Sequence, residues 1–77
     1  MNAAAEDICR RFNPFVWMLA GAPESSRPIM LETFRQEMVR QIRLDGQSDD
    51  PEFHATCICK IISRRVYEIE ARESGRA

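Results

Sequence analysis

Three residues whose side chains can bind a metal ion lie close together near the C-terminal end of the chain: His54, Cys57 and Cys59. Imidazole and thiolate groups are the usual ligands of zinc. The surrounding pattern predicts a helix, in which Cys57 and Cys59 point about 200° apart because each residue turns the helix by about 100°. A single ion cannot take both thiolates without breaking that helix, and the spacings C-x-x-C and H-x-x-x-H are absent. We therefore predict neither a metal site nor a cofactor.

His54 and Cys57 share a helix face, which would also suit a cysteine nucleophile beside a histidine base. Such a site needs a third orienting group and an oxyanion donor, and the sequence offers no candidate for either. A chain of 77 residues also has little room for a cleft of a few hundred Å³. The prediction is a protein that is not an enzyme, in which the cysteines fill helix interfaces as small apolar groups.

The composition is that of one small folded domain spanning residues 1–77. Hydrophobic residues make up 44% of the chain and charged residues 30%, with a formal net charge of −1. Disorder would require lower hydrophobicity and a larger net charge, and a dedicated nucleic-acid binder would show a basic excess. Ten of the eleven cations are arginines, with Lys60 the only lysine. Three cysteines do not make a disulfide framework, which indicates a reducing compartment.

The stretch Phe12–Pro23 contains the only tryptophan and an unbroken apolar run, Phe15 to Ala20. The run is shorter than the core of a signal peptide and far shorter than the roughly 20 residues that span a bilayer. Glu6 and Asp7 also stand where a signal peptide would be positively charged. The sequence therefore predicts a cytoplasmic protein without a membrane span.

Two short helical segments are predicted in the N-terminal part, at about 3–12 and 14–20. Between them, Asn13 and Pro14 are typical of a helix cap followed by a first-turn proline, although the pair could equally kink one continuous helix. Gly21 is expected to end the second segment in the left-handed conformation.

The central feature is an antiparallel αα-hairpin of two helices at about 28–45 and 51–72. Gly46 ends the first helix, and Asp49 or Asp50 followed by a proline and an acid starts the second. The connection is short, which makes the two helices neighbours. The overall prediction is an all-α fold of three to four helices, with the N-terminal segments packed on the hairpin. The apolar stripe of the first hairpin helix is Leu31, Phe34, Met38 and Ile42.

The last helix has two adjacent apolar rows, which predict a broad apolar face, and residues 73–77 are expected to form a frayed tail. One row contains Phe53, Cys57 and Ile61. The other contains Ile58, Ile62, Val66 and Ile69.

Five residues are candidates for a protein interface: Phe15, Trp17, Met18, Arg64 and Arg65. A short helix that is apolar all round cannot be covered on every side by two amphipathic helices, so part of it is either exposed or buried by another chain. Exposed aromatic residues and methionine are typical interface anchors, with arginines as peripheral charge. The competing interpretation is that the aromatic residues simply fill the core.

These observations favour a non-catalytic protein–protein interaction module, meaning a small regulator, inhibitor or adaptor that masks a surface of a larger partner. A homodimer is also expected, formed through either the apolar N-terminal segment or the broad face of the last helix. The alternative is a small helical DNA-binding transcriptional regulator, which the near-zero net charge disfavours.

Overall fold

A computed structural model describes residues 3–75, and within that range the fold is all α-helical. The helices are α1 (Ala3–Arg11), α2 (Asn13–Gly21), α3 (Arg27–Asp45) and α4 (Pro51–Ser74), with a single 3-10 turn at Glu24–Ser26. The predicted αα-hairpin with packed N-terminal segments is therefore confirmed. The last helix continues two residues beyond its predicted end, and residues 76–77 of the predicted tail lie outside the described residues.

The break between α1 and α2 lies at Phe12, one residue earlier than the predicted cap. Asn13 is the first residue of α2 and Pro14 its second, and no side chain caps this helix. Backbone hydrogen bonds run through the break, from the Phe12 N–H to the Ile8 carbonyl and from the Val16 N–H to the Phe12 carbonyl, each 3.0 Å long. Phe12 therefore occupies the cap position and its carbonyl accepts the first hydrogen bond of α2, so Asn13 lies inside the helix rather than at the position from which a side chain caps it.

The connection between the two hairpin helices lies where its local chemistry predicts it. Gly46 follows α3 with φ 71°, and its N–H donates to the Ile42 carbonyl at 3.1 Å. The Asp50 carboxylate caps α4 by accepting a 3.1 Å hydrogen bond from the Phe53 N–H. Gly21, by contrast, does not adopt a positive φ, and α2 ends where Ala22 becomes extended.

Two alanine substitutions test this difference between the glycines. Gly46→Ala is expected to lower the free energy of unfolding by about 1 kcal/mol, because an L-residue is strained at positive φ. Gly21→Ala is expected to raise it by about 0.5 kcal/mol, since the position is helical and a methyl group there meets nothing within 4 Å. Urea denaturation of both variants gives the two values, and equal effects of the same sign would contradict the assigned conformations.

Helix α4 lies at the centre of the fold, and α1, α2 and α3 all pack against it. Only one of its two apolar rows is buried, the row from Ile58 to Ile69. This row meets the fully buried Val16 and Leu19 of α2 to form the core. The row beginning at Phe53 is not buried: Phe53 is exposed and the other two members are half-buried.

Arg27 ties three helices together at one end of the molecule. Its guanidinium donates to the carbonyl oxygens of Ala20 and Ala22, each at 3.2 Å, and also to the Glu70 carboxylate. The last four carbonyls of a helix lack partners within it, so Arg27 satisfies groups at the end of α2 while it binds α4. Because α3 begins beside the end of α4, the hairpin is antiparallel.

The molecule is thin and elongated, with Cα dimensions of 46 × 28 × 17 Å. Its radius of gyration is 13.2 Å, whereas about 11.5 Å is expected for a compact chain of this length. Its accessible surface is 5638 Å², compared with about 4,800 Å² for a typical monomer of the same mass. The fold therefore exposes more surface than its mass requires. Of the described helices, none is long and apolar enough to cross a membrane.

Candidate protein interaction surfaces

The apolar helix α2 is buried on one side only. Val16 and Leu19 are each 1% exposed, whereas Trp17 is 53% and Met18 56% exposed. Helix geometry explains why two of these side chains are buried and two are exposed. Val16 and Leu19 are three residues apart and share one side of the helix, whereas Trp17 and Met18 point to the other side. Trp17, the residue whose orientation the sequence left open, therefore points mostly to solvent in the single chain.

Phe15 is held inside the chain more firmly than the other two predicted residues of α2. Its ring stacks on Phe34 of α3, with centroids 4.3 Å apart and an angle of 12° between the planes. Phe12 meets the same ring edge-on at 5.3 Å. These contacts join α2 to α3, so Phe15 primarily packs the two helices together.

The exposed side of α2 carries no charge. It consists of Pro14, Trp17, Met18 and Gly21, which we call the α2 face. No charged residue occurs anywhere from Asn13 to Pro23. A partner can therefore cover this face without removing an ion from water, which avoids the main cost of burying polar surface.

Arg65 acts as a link between helices. Its guanidinium contacts the Glu6 carboxylate of α1 at 2.7 Å and the Glu68 carboxylate, one turn along α4, at 3.4 Å. The side chain is half-buried between these groups. This arrangement holds α1 against α4. Because its guanidinium is already bound to these carboxylates, Arg65 is less available than Arg64 for contact with another protein.

Arg64 is exposed on the opposite side of α4 from the α2 helix. It lies about 160° around the helix from Val66 and about 200° from Ile62, both of which pack under α2. Of the five predicted interface residues, only Trp17 and Met18 thus share one surface, while Arg64 belongs to another.

A second surface runs along the solvent side of α4 around Arg64. Phe53, Lys60, Arg64 and Tyr67 lie within a sector of about 60° there, and we call this set the outer α4 face. Phe53 is 66% and Tyr67 72% exposed. Sequence reasoning missed this face because it assigned Phe53 to an apolar row. The spacings of seven, four and three residues, which bring all four to one side of a helix, were the available signal.

The two cations of the outer α4 face differ from most other basic residues. Lys60 and Arg64 make no ion pair with any residue between positions 3 and 75. Five arginines do form ion pairs: Arg10 with Asp7, Arg27 with Glu70, Arg35 with Glu32, Arg40 with Glu37, and Arg65 with Glu6 and Glu68.

Two of these pairs lower the pKa of their acid. Hydrogen bonds from Arg40 and Gln41 lower the pKa of Glu37, and the effect on Glu32 is larger. Hydrogen bonds from Arg35 and Gln36 lower the pKa of Glu32 to about 2. That carboxylate therefore stays charged over the physiological range and remains committed to its own helix. The two residues of such an exposed pair neutralise each other, so the pair offers no free charge to another protein.

The residues considered for metal binding or catalysis lie in different surroundings. Cys59 faces α3, where its thiol lies 4.0 Å from the Leu31 carbonyl, and burial raises its pKa. A thiol with a raised pKa is a poor nucleophile. His54 is exposed and all three cysteines are unbridged. Residues 3–75 contain no group of three or more His, Cys, Asp or Glu side chains placed to hold a metal ion.

Comparison of the chain with protein-family models, with curated proteins and with solved structures gives no match. A function must therefore be argued from the surfaces of the molecule itself. Those surfaces are the uncharged α2 face and the aromatic, basic outer α4 face.

Proposed function

We propose that this protein is a non-catalytic interaction module, a small regulator, inhibitor or adaptor that binds and masks a surface of a larger protein through its α2 face. The observation that supports the proposal is the exposure of Trp17 and Met18 on a helix whose other side completes the core. Because α2 is held from behind by buried Val16 and Leu19, it presents the two side chains on a rigid support. A preorganised anchor loses little entropy on binding.

The chemistry of the α2 face defines the kind of surface that it would bind. Tryptophan is enriched among residues that dominate binding energy, and methionine adapts to irregular apolar surfaces. With no charge on the face, the complementary surface is an apolar pocket or groove with a polar rim.

A homodimer is the second part of the proposal, and the α2 face is its best candidate. Two copies can bring this face together about a twofold axis without burying a charge or opposing like charges. The surface in excess of a typical monomer is roughly 800 Å², similar to what one partner buries in a standard interface. A contact with a larger partner would then compete with the dimer for Trp17.

Trp17→Ala is expected to weaken binding through this face about 30-fold, corresponding to about 2 kcal/mol at an interface anchor. Size-exclusion chromatography with light scattering at high concentration measures self-association, and affinity capture from the native host measures partner binding. Ile29→Ala is the matched control, because Ile29 is an exposed apolar residue on α3 and its loss should change neither readout.

Each part of the proposal can fail separately. A clean mass of 8.9 kDa for the wild type at high concentration would contradict the homodimer. Unchanged dimerisation and unchanged capture by a folded Trp17→Ala variant would contradict the role of the α2 face.

The alternative function, a small helical DNA-binding regulator, draws support from the unpaired cations Lys60 and Arg64. Phosphate contacts weaken steeply with salt, so a salt-dependent mobility shift with duplex DNA distinguishes the two functions. We expect no shift at low salt. We also propose a cytoplasmic location, on the ground that three cysteines without framework spacing suit a reducing compartment.

A further inference from the structure

The outer α4 face is a second exposed surface that the proposed function does not use. Phe53 and Tyr67 mark its ends, fourteen residues or about 21 Å apart along the helix axis. Lys60 and Arg64 lie between them. The four side chains form one line, with an aromatic ring at each end and two positive charges in the middle.

Within its own chain this face lacks the groups that would complement it. The carboxylates nearest in sequence to Arg64 contact other arginines, since Glu68 contacts Arg65 and Glu70 binds Arg27. Phe53 and Tyr67 are both exposed, and no helix within residues 3–75 covers them. Lys60 and Arg64 are thus available to negative charges supplied from outside.

We propose that the outer α4 face binds an acidic amphipathic helix of another protein. Apolar residues near both ends of that helix would cover Phe53 and Tyr67, and carboxylates between them would pair with Lys60 and Arg64. A partner helix needs about fourteen residues to span the face, and the order of ring, charge, charge and ring defines its register. Charge complementarity would increase the specificity for this partner and the rate of association more than it would increase the affinity.

A second copy of the chain does not suit this face. If two α4 helices paired in opposite directions with Phe53 of each copy against Tyr67 of the other, the midpoint of the contact would fall at Lys60. Lys60 would then face its own copy, and like charges in direct opposition are unfavourable. The uncharged α2 face has no such conflict, so the two faces are assigned different occupants.

A nucleic acid is also a poorer match than an acidic helix. Duplex DNA carries one phosphate per about 1.7 Å of axis, whereas the face offers two cations over about 21 Å. The remaining members, Phe53 and Tyr67, present aromatic rings, and the phosphate backbone of duplex DNA offers no apolar surface to cover them. Binding of DNA to the outer α4 face would therefore contradict the inference.

The test uses a synthetic helical peptide as the probe, with leucine pairs fourteen residues apart and four glutamates on the same side between them. Fluorescence anisotropy of the labelled peptide measures its binding to the full chain at low and at physiological salt. The double variant Lys60→Glu/Arg64→Glu is expected to bind the peptide at least about tenfold more weakly than the wild type. Phe53→Ala and Tyr67→Ala should each weaken it about threefold to tenfold.

The matched control is the double variant Arg43→Glu/Arg72→Glu, which changes the net charge by the same amount at two exposed arginines outside the face. It should bind the peptide within about twofold of the wild type if the effect is local, since exposed charges are screened beyond about 10 Å. Circular dichroism verifies that every variant remains helical. A second peptide with lysines in place of the glutamates should not bind.

Four outcomes would overturn the inference. They are no binding of the acidic peptide by the wild type, equal weakening in the two double variants, binding of the lysine peptide, and tighter binding of labelled duplex DNA that displaces the acidic peptide. The variant Trp17→Ala distinguishes this inference from the proposed function of the α2 face. It should leave peptide binding unchanged, so loss of the α2 function alone and loss of the α4 function alone give different results.

Discussion

Leu19→Ala is expected to lower the free energy of unfolding by about 3 kcal/mol. Leu19 is 1% exposed and lies in the core with Ile62 and Val66 of α4. Removing its isobutyl group loses the transfer free energy of those atoms and leaves a cavity that a thin fold cannot easily close. A domain of this length has a total stability of only about 4–12 kcal/mol, so this loss would remove roughly a quarter to three quarters of it.

Leu44→Ala is the control for this experiment, because it makes the same chemical change on α3 at a residue that is 73% exposed. Its expected effect is below about 0.5 kcal/mol. Urea denaturation followed by circular dichroism gives both values. Similar destabilisation by the two substitutions would mean that α2 does not contribute to the core as described.

Arg27→Met is also expected to be strongly destabilising, lowering the free energy of unfolding by about 2 kcal/mol. The substitution keeps much of the apolar stem but removes the donors to Ala20, Ala22 and Glu70 together. The Arg27 side chain is only 17% exposed, so water replaces those hydrogen bonds poorly. The end of α2 should also fray, which amide hydrogen exchange of residues 19–22 would detect.

Arg40→Met serves as the comparison, since Arg40 forms an ion pair with Glu37 on the exposed side of α3. Exposed pairs contribute about 0–1 kcal/mol, so this variant should be nearly neutral. A double-mutant cycle of Arg27→Met with Glu70→Gln isolates the pair across the hairpin. If Arg27→Met proved no more harmful than Arg40→Met, Arg27 would not link α2 to α4.

The helix positions were predictable where residues close in sequence decide them. Asp50 starts α4 through a hydrogen bond to an N–H three residues away, and Gly46 ends α3 through its own positive φ. Where the decision depends on a neighbouring helix, prediction was weaker. Asn13 was expected to cap α2, but the helical hydrogen bonds of α1 continue to Phe12, so Phe12 takes the cap position and Asn13 becomes the first residue of the helix.

For the candidate surfaces, too, neighbouring helices decide what the local sequence does not. Arg64 and Arg65 are adjacent in sequence and have the same side chain, yet Arg65 binds Glu6 of α1 while Arg64 faces solvent. Only the position of α1 distinguishes them. Likewise, Phe15 is drawn into contact with Phe34, whereas Trp17, two residues later, remains exposed.

The sequence by itself determined an all-α fold, the hairpin and the absence of a long apolar span, because periodicity and capping act over a few residues. Only the tertiary structure decided which side of the uniformly apolar α2 is buried and which row of α4 forms the core. A helix that is apolar all round carries no local preference for one side. The choice comes from the helices that pack against it, up to fifty residues away in the chain.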